Sequence, residues 1–360
     1  MSHGTTGGDL RLVINDKSPR IRLDTSNPNP EGFPINGESC NFTMKYFYVS
    51  QRGYYPNAMG KANQDSYAIC ERFMNDKNTH FFGIFDGHGE YGDSCSHFAA
   101  NAVPRKLAAE LKKSGGLKGL DGDDMETTYT RALVQANLAM RNSRIDDSLS
   151  GTTSITAVLR RDNLYIANVG DSRAIIASDF EDKLRYTPLS NDQTPFRKDE
   201  RERVKKCGGR ILTLEQVDGN EPWHENWGAE TGDNIDEVGD PPRVWNESLE
   251  QPGCAFTRSL GDAVGEAVGV CAEPEIVSWQ IGPTDRYVIL ASDGVFEFLT
   301  SQGTVGWGAV GCELCAAFCS ILVWCAVLCC AVLCCAVLCC AVLCCAVLLF
   351  FCCCLVLRTA

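Results

Sequence analysis

Four acidic corners constrain this chain more than any other feature. NQDS at 63–66, DGHG at 86–89, GDSR at 170–173 and SDG at 292–294 each follow or begin a short run rich in β-branched and aromatic residues. Those runs (DSYAIC, HFFGIFD, TTSITAVLRR, NLYIANVG, RAIIASD and RYVILASD among them) are separated by Gly, Asp and Asn, and they read as strands. An aspartate at a strand end holds its carboxylate close to the backbone, and a neighbouring glycine lets the main chain approach a bound ion. Hard divalent cations take oxygen ligands, and a site for two of them gathers carboxylates from separate loops. A lone Asp-Gly pair is an ordinary turn. Four acidic corners on strand ends point instead to a metal site. His88, two residues after Asp86, would alone read as a locally bonded turn residue. Beside a metal-binding Asp it is placed to protonate a leaving alkoxide.

Helical spacing appears over 92–113 and 124–142, the second with Leu133, Ala136, Leu138 and Met140 between charged residues and with Asp123 or Asp124 as its cap. A third helix is predicted over 196–206, stopped by Gly208-Gly209. The helices are grouped rather than alternating with strands, so the fold class is α+β with largely antiparallel sheets. Residues 1–44, rich in Gly, Pro, Ser, Thr and Asn, are expected to be disordered. The structured domain is expected over 45–302, with 215–251 as an acidic surface insertion.

The net charge is −13, and after Gln302 only Glu313 and Arg358 are charged, so the acidity belongs to the body. Such a body has no overall field to attract nucleic acid. Of the 21 cysteines, six (Cys40, Cys70, Cys95, Cys207, Cys254, Cys271) are scattered through the body without disulfide or zinc spacing. The N-terminus has no apolar stretch of signal-peptide length. A reduced, cytoplasmic or nuclear body is expected. The remaining cysteines lie in the 303–360 tail, where CAVLC repeats in tandem from Cys325. Iterating the pentanucleotide TGTGC encodes Cys-Ala-Val-Leu-Cys in every frame, so the tail reads as translated simple-sequence DNA. The uncharged stretch 314–357 is also long enough to be a membrane anchor. A cysteine-rich metal-binding segment is the third reading, without a fixed ligand geometry.

In order, KANQDSYAI, FFGIFDGHGEYG, SGTTSITAVL, LYIANVGDSRAI, AFTRSLGD, EPEI and VILASDGVFEFL resemble the successive motifs of the protein phosphatase 2C family. The wording is similar to a plant and algal branch in which the phosphatase precedes cyclic-nucleotide-binding and kinase domains, of which this chain carries no trace. The resemblance implies an αββα sandwich of two mostly antiparallel sheets flanked by helices. It implies hydrolysis of phosphoserine and phosphothreonine in proteins by a water bridging two divalent cations, magnesium or manganese, with a third, weaker ion. Asp86 would bridge the two ions, the Gly87 carbonyl and Asp293 would add ligands, and Asp171 with Asp293 would hold the third. His88 would be the acid, while Asp65 and Asp262 would support the ligands.

Departures from the pattern are equally legible. Gln64 stands where Glu is frequent and would hold metal through water. Glu297 replaces an Asp near the third ion. The phosphate-binding Arg of the family has no counterpart at Gly60, which leaves Arg52 or Lys61 as the substrate-phosphate ligand; Arg52 is preferred for its bidentate fork. The closing strands and the family's final metal-ligand Asp are absent, because the repeat begins first. An impaired or dead relative that binds phosphoproteins without turnover is therefore the alternative to an active enzyme, and a membrane-tethered or mistranslated fragment without a stable fold is a third. Nothing in the sequence names a physiological substrate.

Overall fold

The computed structural model describes residues 10, 12–14, 24–26, 32–50, 52, 60–117, 125–225, 227, 240–306 and 351–359. Two antiparallel sheets face each other. The first runs, in spatial order, Val13–Ile14, Ser66–Cys70, Thr79–Phe85, Ser154–Arg160, Asn163–Val169 and Glu275–Gln280. The second runs Lys183–Pro188, Arg173–Phe180, Asp285–Ala291, Phe351–Thr359, Asn41–Ser50 and Asp24–Ser26, with Phe33–Asn36 also paired to Asn41–Ser50. Residues of alternate parity on each strand point into the space between the sheets. Tyr67, Ile69, Phe82, Ile84, Ile155 and Ile166 from the first sheet meet Tyr46, Ile176, Val288 and Leu290 from the second in one buried cluster. The strands Thr79–Phe85 and Ser154–Arg160 are buried on both faces, which is why they read as continuous apolar runs rather than alternating ones.

The other face of the first sheet is covered by helices α1 (Gly92–Lys113) and α2 (Met125–Arg141). Cys95, Ala99, Val103, Leu107 and Leu111 form an i, i+4 stripe on α1, and Met125, Tyr129, Leu133, Ala136 and Met140 form a stripe of three- and four-residue steps on α2. Both stripes pack on Phe81, Val158 and Ala167 of the sheet. Leu138 lies off the stripe and is 49% exposed. The predicted caps Asp123 and Asp124 fall outside the described residues. On the outer face of the second sheet, Val295, Phe296 and Val305 cover Ile175 and Ile289. Helix α3 (Lys198–Lys206) ends before Gly208, whose φ of +88° is the left-handed turn foreseen there.

Three expectations are corrected. Residues 33–44 are not disordered: Ile35, Phe42 and Met44 are buried between the sheets, and the sparse apolar residues alternate in step with the strand. The 215–251 segment is not all surface loop, since Arg243–Trp245 is the middle strand of a small sheet between Arg210–Leu212 and Pro252–Cys254. The tail does not stay outside the sandwich. Phe351–Thr359 pairs with Asp285–Ala291 on one side and with Asn41–Ser50 on the other, so a strand from the tail closes the sheet that was expected to lack one. Residues 307–350, and most of the membrane segment expected at 314–357, lie outside the described residues. Among the described residues no helix is long and apolar enough to cross a membrane.

Candidate metal centre

The acidic corners meet at one edge of the sandwich because strand ends from both sheets converge there. Asp86 follows Thr79–Phe85; its N–H donates to Thr153 Oγ1 at 3.0 Å, and its carbonyl accepts from Thr153 N–H at 2.8 Å. Asp171 sits in the turn between Asn163–Val169 and Arg173–Phe180, after Gly170 at φ +105°. Asp293 opens a short helix behind Asp285–Ala291, and Asp65 precedes Ser66–Cys70 and accepts from Ser292 Oγ at 3.3 Å.

Asp86 lies within hydrogen-bonding reach of both Asp65 and Asp293. Burial, with like charge from Asp293 and Asp65, pushes the Asp86 carboxyl well above the usual carboxylate range. Burial also lifts Asp65 to about 6, helped by Asp293, and Asp171 to about 7, helped by Asp293 and Asp192. Crowded, half-buried carboxylates repel one another, and a cation that joins them relieves that cost. The donor set is all oxygen, from separate loops, as a hard divalent ion requires. The chemistry of these residues fits a divalent metal, but among the described residues only Asp199, Glu200 and Glu275 already bring three ligand atoms within 4.8 Å of one another, so Asp86, Asp171 and Asp293 would have to draw together around an ion.

His88 is placed by a three-stranded miniature sheet in which Gly87–His88 pairs with Gly151–Thr152, and that strand pairs with Leu260–Gly261. The next residue, Asp262, has a left-handed backbone (φ 54°, ψ 54°), a conformation Asp tolerates better than most residues. Its Oδ2 lies 2.7 Å from His88 Nε2 and accepts from Ser259 Oγ at 2.6 Å. A Cβ on Gly151 would stand 2.1 Å from that oxygen, so only glycine leaves Asp262 room to cross to His88. Burial works to lower the His88 pKa, but the Asp262 carboxylate, with Asp171 and Asp293 beyond it, outweighs burial and the net shift is upward. Phe256 packs on the imidazole with ring centroids 4.3 Å apart.

Gly87 is pinned against the backbone: an added Cβ would meet Gly92 O at 2.1 Å and Gln64 O at 2.6 Å. Gln64 Nε2 donates to Gly89 O at 2.6 Å, so its amide nitrogen ties down the loop carrying His88. Glu297 is exposed at the end of the Asp293 helix and does not line the cleft. Arg52 is buried, with Nη1 donating to Lys61 O at 2.8 Å, and it too lies away from the cleft wall. Lys61 is exposed and close enough to Asp65 to lower its pKa. Gly60, at the position of the family's phosphate-binding Arg, is exposed with open space around it.

Sequence reasoning missed two charged residues here. Asp192, held by Arg173 through Nε at 2.9 Å and Nη2 at 2.6 Å, adds negative charge beside Asp171 and Asp293. Its signal was one more acidic loop, LSNDQTP, after a strand. Arg243 lines the cleft from the small sheet. It was hidden inside the segment read as an insertion. The cleft, of about 380 Å³, is lined by Asp86, Asp171 and Asp293, by His88 and Asp262, and by Pro252–Phe256.

Two facing sheets with this acidic edge define the class of metal-dependent protein serine/threonine phosphatases. Residues 57–307 match the family described as Protein phosphatase 2C, and the chain belongs to that family. It is 45% identical over 272 residues to "Probable protein phosphatase 2C 35" of Arabidopsis thaliana, covering 75% of each chain. To "Probable protein phosphatase 2C 48" of Oryza sativa subsp. japonica it is 33% identical over 264 residues, covering 68% of each. Among solved structures it shares the fold of serine-threonine phosphatase 2C from Toxoplasma gondii, with a TM-score of 0.58 at 19% identity over 79% of this chain and 87% of that one.

Proposed function

We propose that this chain hydrolyses phosphoserine and phosphothreonine in proteins, with magnesium or manganese held by Asp86, Asp171 and Asp293, aided by Asp65 and the Gly87 carbonyl. Bound there, divalent ions neutralise charge on the phosphoryl group and acidify an attacking water. The chain's own residues do the rest. Asp86, braced through its main chain by Thr153, fixes the centre of the ligand set. His88, held by Asp262, donates a proton to the departing serine or threonine oxygen, and Asp262 keeps the imidazole charged and aimed. Phe256 shields one face of the ring from water.

The observation that carries this reading is the convergence of four half-buried carboxylates beside a histidine whose Nε2 is held by a fifth. The family's final ligand Asp has no counterpart after Asp293, since the chain has no later aspartate. The four aspartates supply the ligand set instead. The test is hydrolysis of a phosphothreonine peptide by the full chain. Turnover should require manganese or magnesium and vanish in Asp86→Asn. Metal-independent turnover, or none in the wild type, contradicts the reading; the latter, with phosphopeptide binding retained, describes a binding module.

A further inference from the structure

The wall of the cleft holds one strong cation that the chemistry above does not use. We infer that Arg243 is a substrate-binding residue that takes the phosphoryl oxygens of the bound phosphoester. The inference rests on the phosphatase reading and extends it.

Arg243 opens the strand Arg243–Trp245, whose neighbour Pro252–Cys254 lines the same cleft as the carboxylates. Among the described residues lining the cleft it is the only Lys or Arg. Other arginines near the site are saturated by acids: Arg173 by Asp192, and Arg258 by Glu200. Arg243 has no ion pair among the described residues. Its Nη1 donates to Gly253 O at 3.2 Å, and its Nε is buried without an acceptor. Arg243 and the acids Asp262 and Asp171 act on a common neighbour, Cys254. Burial raises the Cys254 thiol first, Asp262 and Asp171 push it the same way, and Arg243 opposes them.

A cation held beside acids yet paired with none of them is available to an incoming anion. A phosphomonoester must enter a cleft whose other charged groups, His88 apart, are carboxylates, and it gains from a donor that is positive and forked. Guanidinium meets both conditions, presenting parallel N–H donors to two phosphoryl oxygens. Lining the same cleft as the aspartates, it would hold the phosphoryl group beside them. Arg52 and Lys61, the sequence-based candidates for the phosphate ligand, do not line the cleft.

The experiment compares the full wild-type chain with Arg243→Gln and Arg243→Lys in manganese. Substrates are a phosphothreonine peptide and p-nitrophenyl phosphate, with inorganic phosphate as inhibitor. For Arg243→Gln, KM on both substrates and the inhibition constant for phosphate should rise about tenfold to a hundredfold, as for loss of a charge-assisted hydrogen bond, with kcat falling less. Arg243→Lys should recover part of the loss, and both variants should keep the melting temperature and its manganese response. An unchanged phosphate inhibition constant overturns the inference. So does a loss confined to the peptide, which would place the contact on acidic side chains flanking the phosphoresidue, or a lowered melting temperature with equal loss in both variants. If the wild type does not turn over, the phosphatase reading fails separately. Calorimetric binding of inorganic phosphate to the manganese-loaded chain then decides: weakened binding in Arg243→Gln supports the role, and equal binding overturns it.

Discussion

Asp262 and His88 are 174 positions apart and yet share a hydrogen bond of 2.7 Å, so the acid of the proposed reaction depends on a contact made by folding. The Asp262 side chain is only 3% exposed, against 26% for His88, so its charge is poorly screened by water. Removing that charge with Asp262→Asn leaves burial to dominate His88. The histidine must be protonated to act as an acid, so turnover of alkyl phosphates should fall off at lower pH in the variant than in the wild type. His88→Ala should slow alkyl phosphates by about a hundredfold or more, and p-nitrophenyl phosphate far less, because nitrophenolate leaves without a proton. Equal losses on both substrates would remove His88 from this role. The sequence marked both residues, but not their contact. DGHG announced His88 through its own motif. Asp262 looked like a supporting residue, because two-residue strands and the missing Cβ of Gly151, which together bring it across, leave no periodic pattern.

Elements were legible where burial left a pattern. The stripes on α1 and α2 followed the helical period, and the corner aspartates marked strand ends. Phe351–Thr359 gave no such signal. As an inner strand it has sheet on both sides, with Cys353 in register between Leu290 and Tyr48, and Leu355 between Val288 and Tyr46. Its residues 351–357 (FCCCLVL) are all apolar and follow an uncharged repeat, so no alternation separates strand from membrane segment. The Phe33–Asn36 strand was missed for a different reason, since Gly and Pro around it outweighed Phe33 and Ile35 in the local composition. The register has a consequence for stability. Ending the chain before Phe351 would expose both Asp285–Ala291 and Asn41–Ser50 as open edges, which invite pairing with other chains. Each lost backbone hydrogen bond is worth about 1 kcal/mol net. Thermal denaturation of that truncated chain should show a melting temperature lower by about 10 °C or more, with aggregation. An unchanged transition would mean that the strand does not support the sheet.

At the scale of the molecule, the acidic edge couples folding to pH and to metal. An acid whose folded pKa lies above its unfolded value gives stability at low pH that is lost as pH rises through the folded value. Asp65 at about 6, Asp171 at about 7 and Asp86 above the usual range all act in that direction, as does the raised His88. His80, lowered to about 4 chiefly by burial, acts oppositely, but its effect is complete above its unfolded value. The metal-free protein should therefore melt at a lower temperature at pH 8 than at about pH 6.5, near the unfolded value of histidine. Manganese should reverse that trend, because an ion bound only by the folded state stabilises it by mass action. A metal-free melting temperature that rises over this interval would contradict the assigned shifts. The central claim, that these aspartates form a divalent-cation centre, is tested most directly by titrating manganese into the metal-free chain by calorimetry at pH 6.5, in two buffers of different ionisation enthalpy. Carboxyls that hold protons in the empty cluster must release them when the ion binds. Saturable binding with proton release in the wild type, greatly weakened in Asp86→Asn and Asp293→Asn, is the predicted result; no binding, or binding that ignores both substitutions and releases no protons, would contradict it.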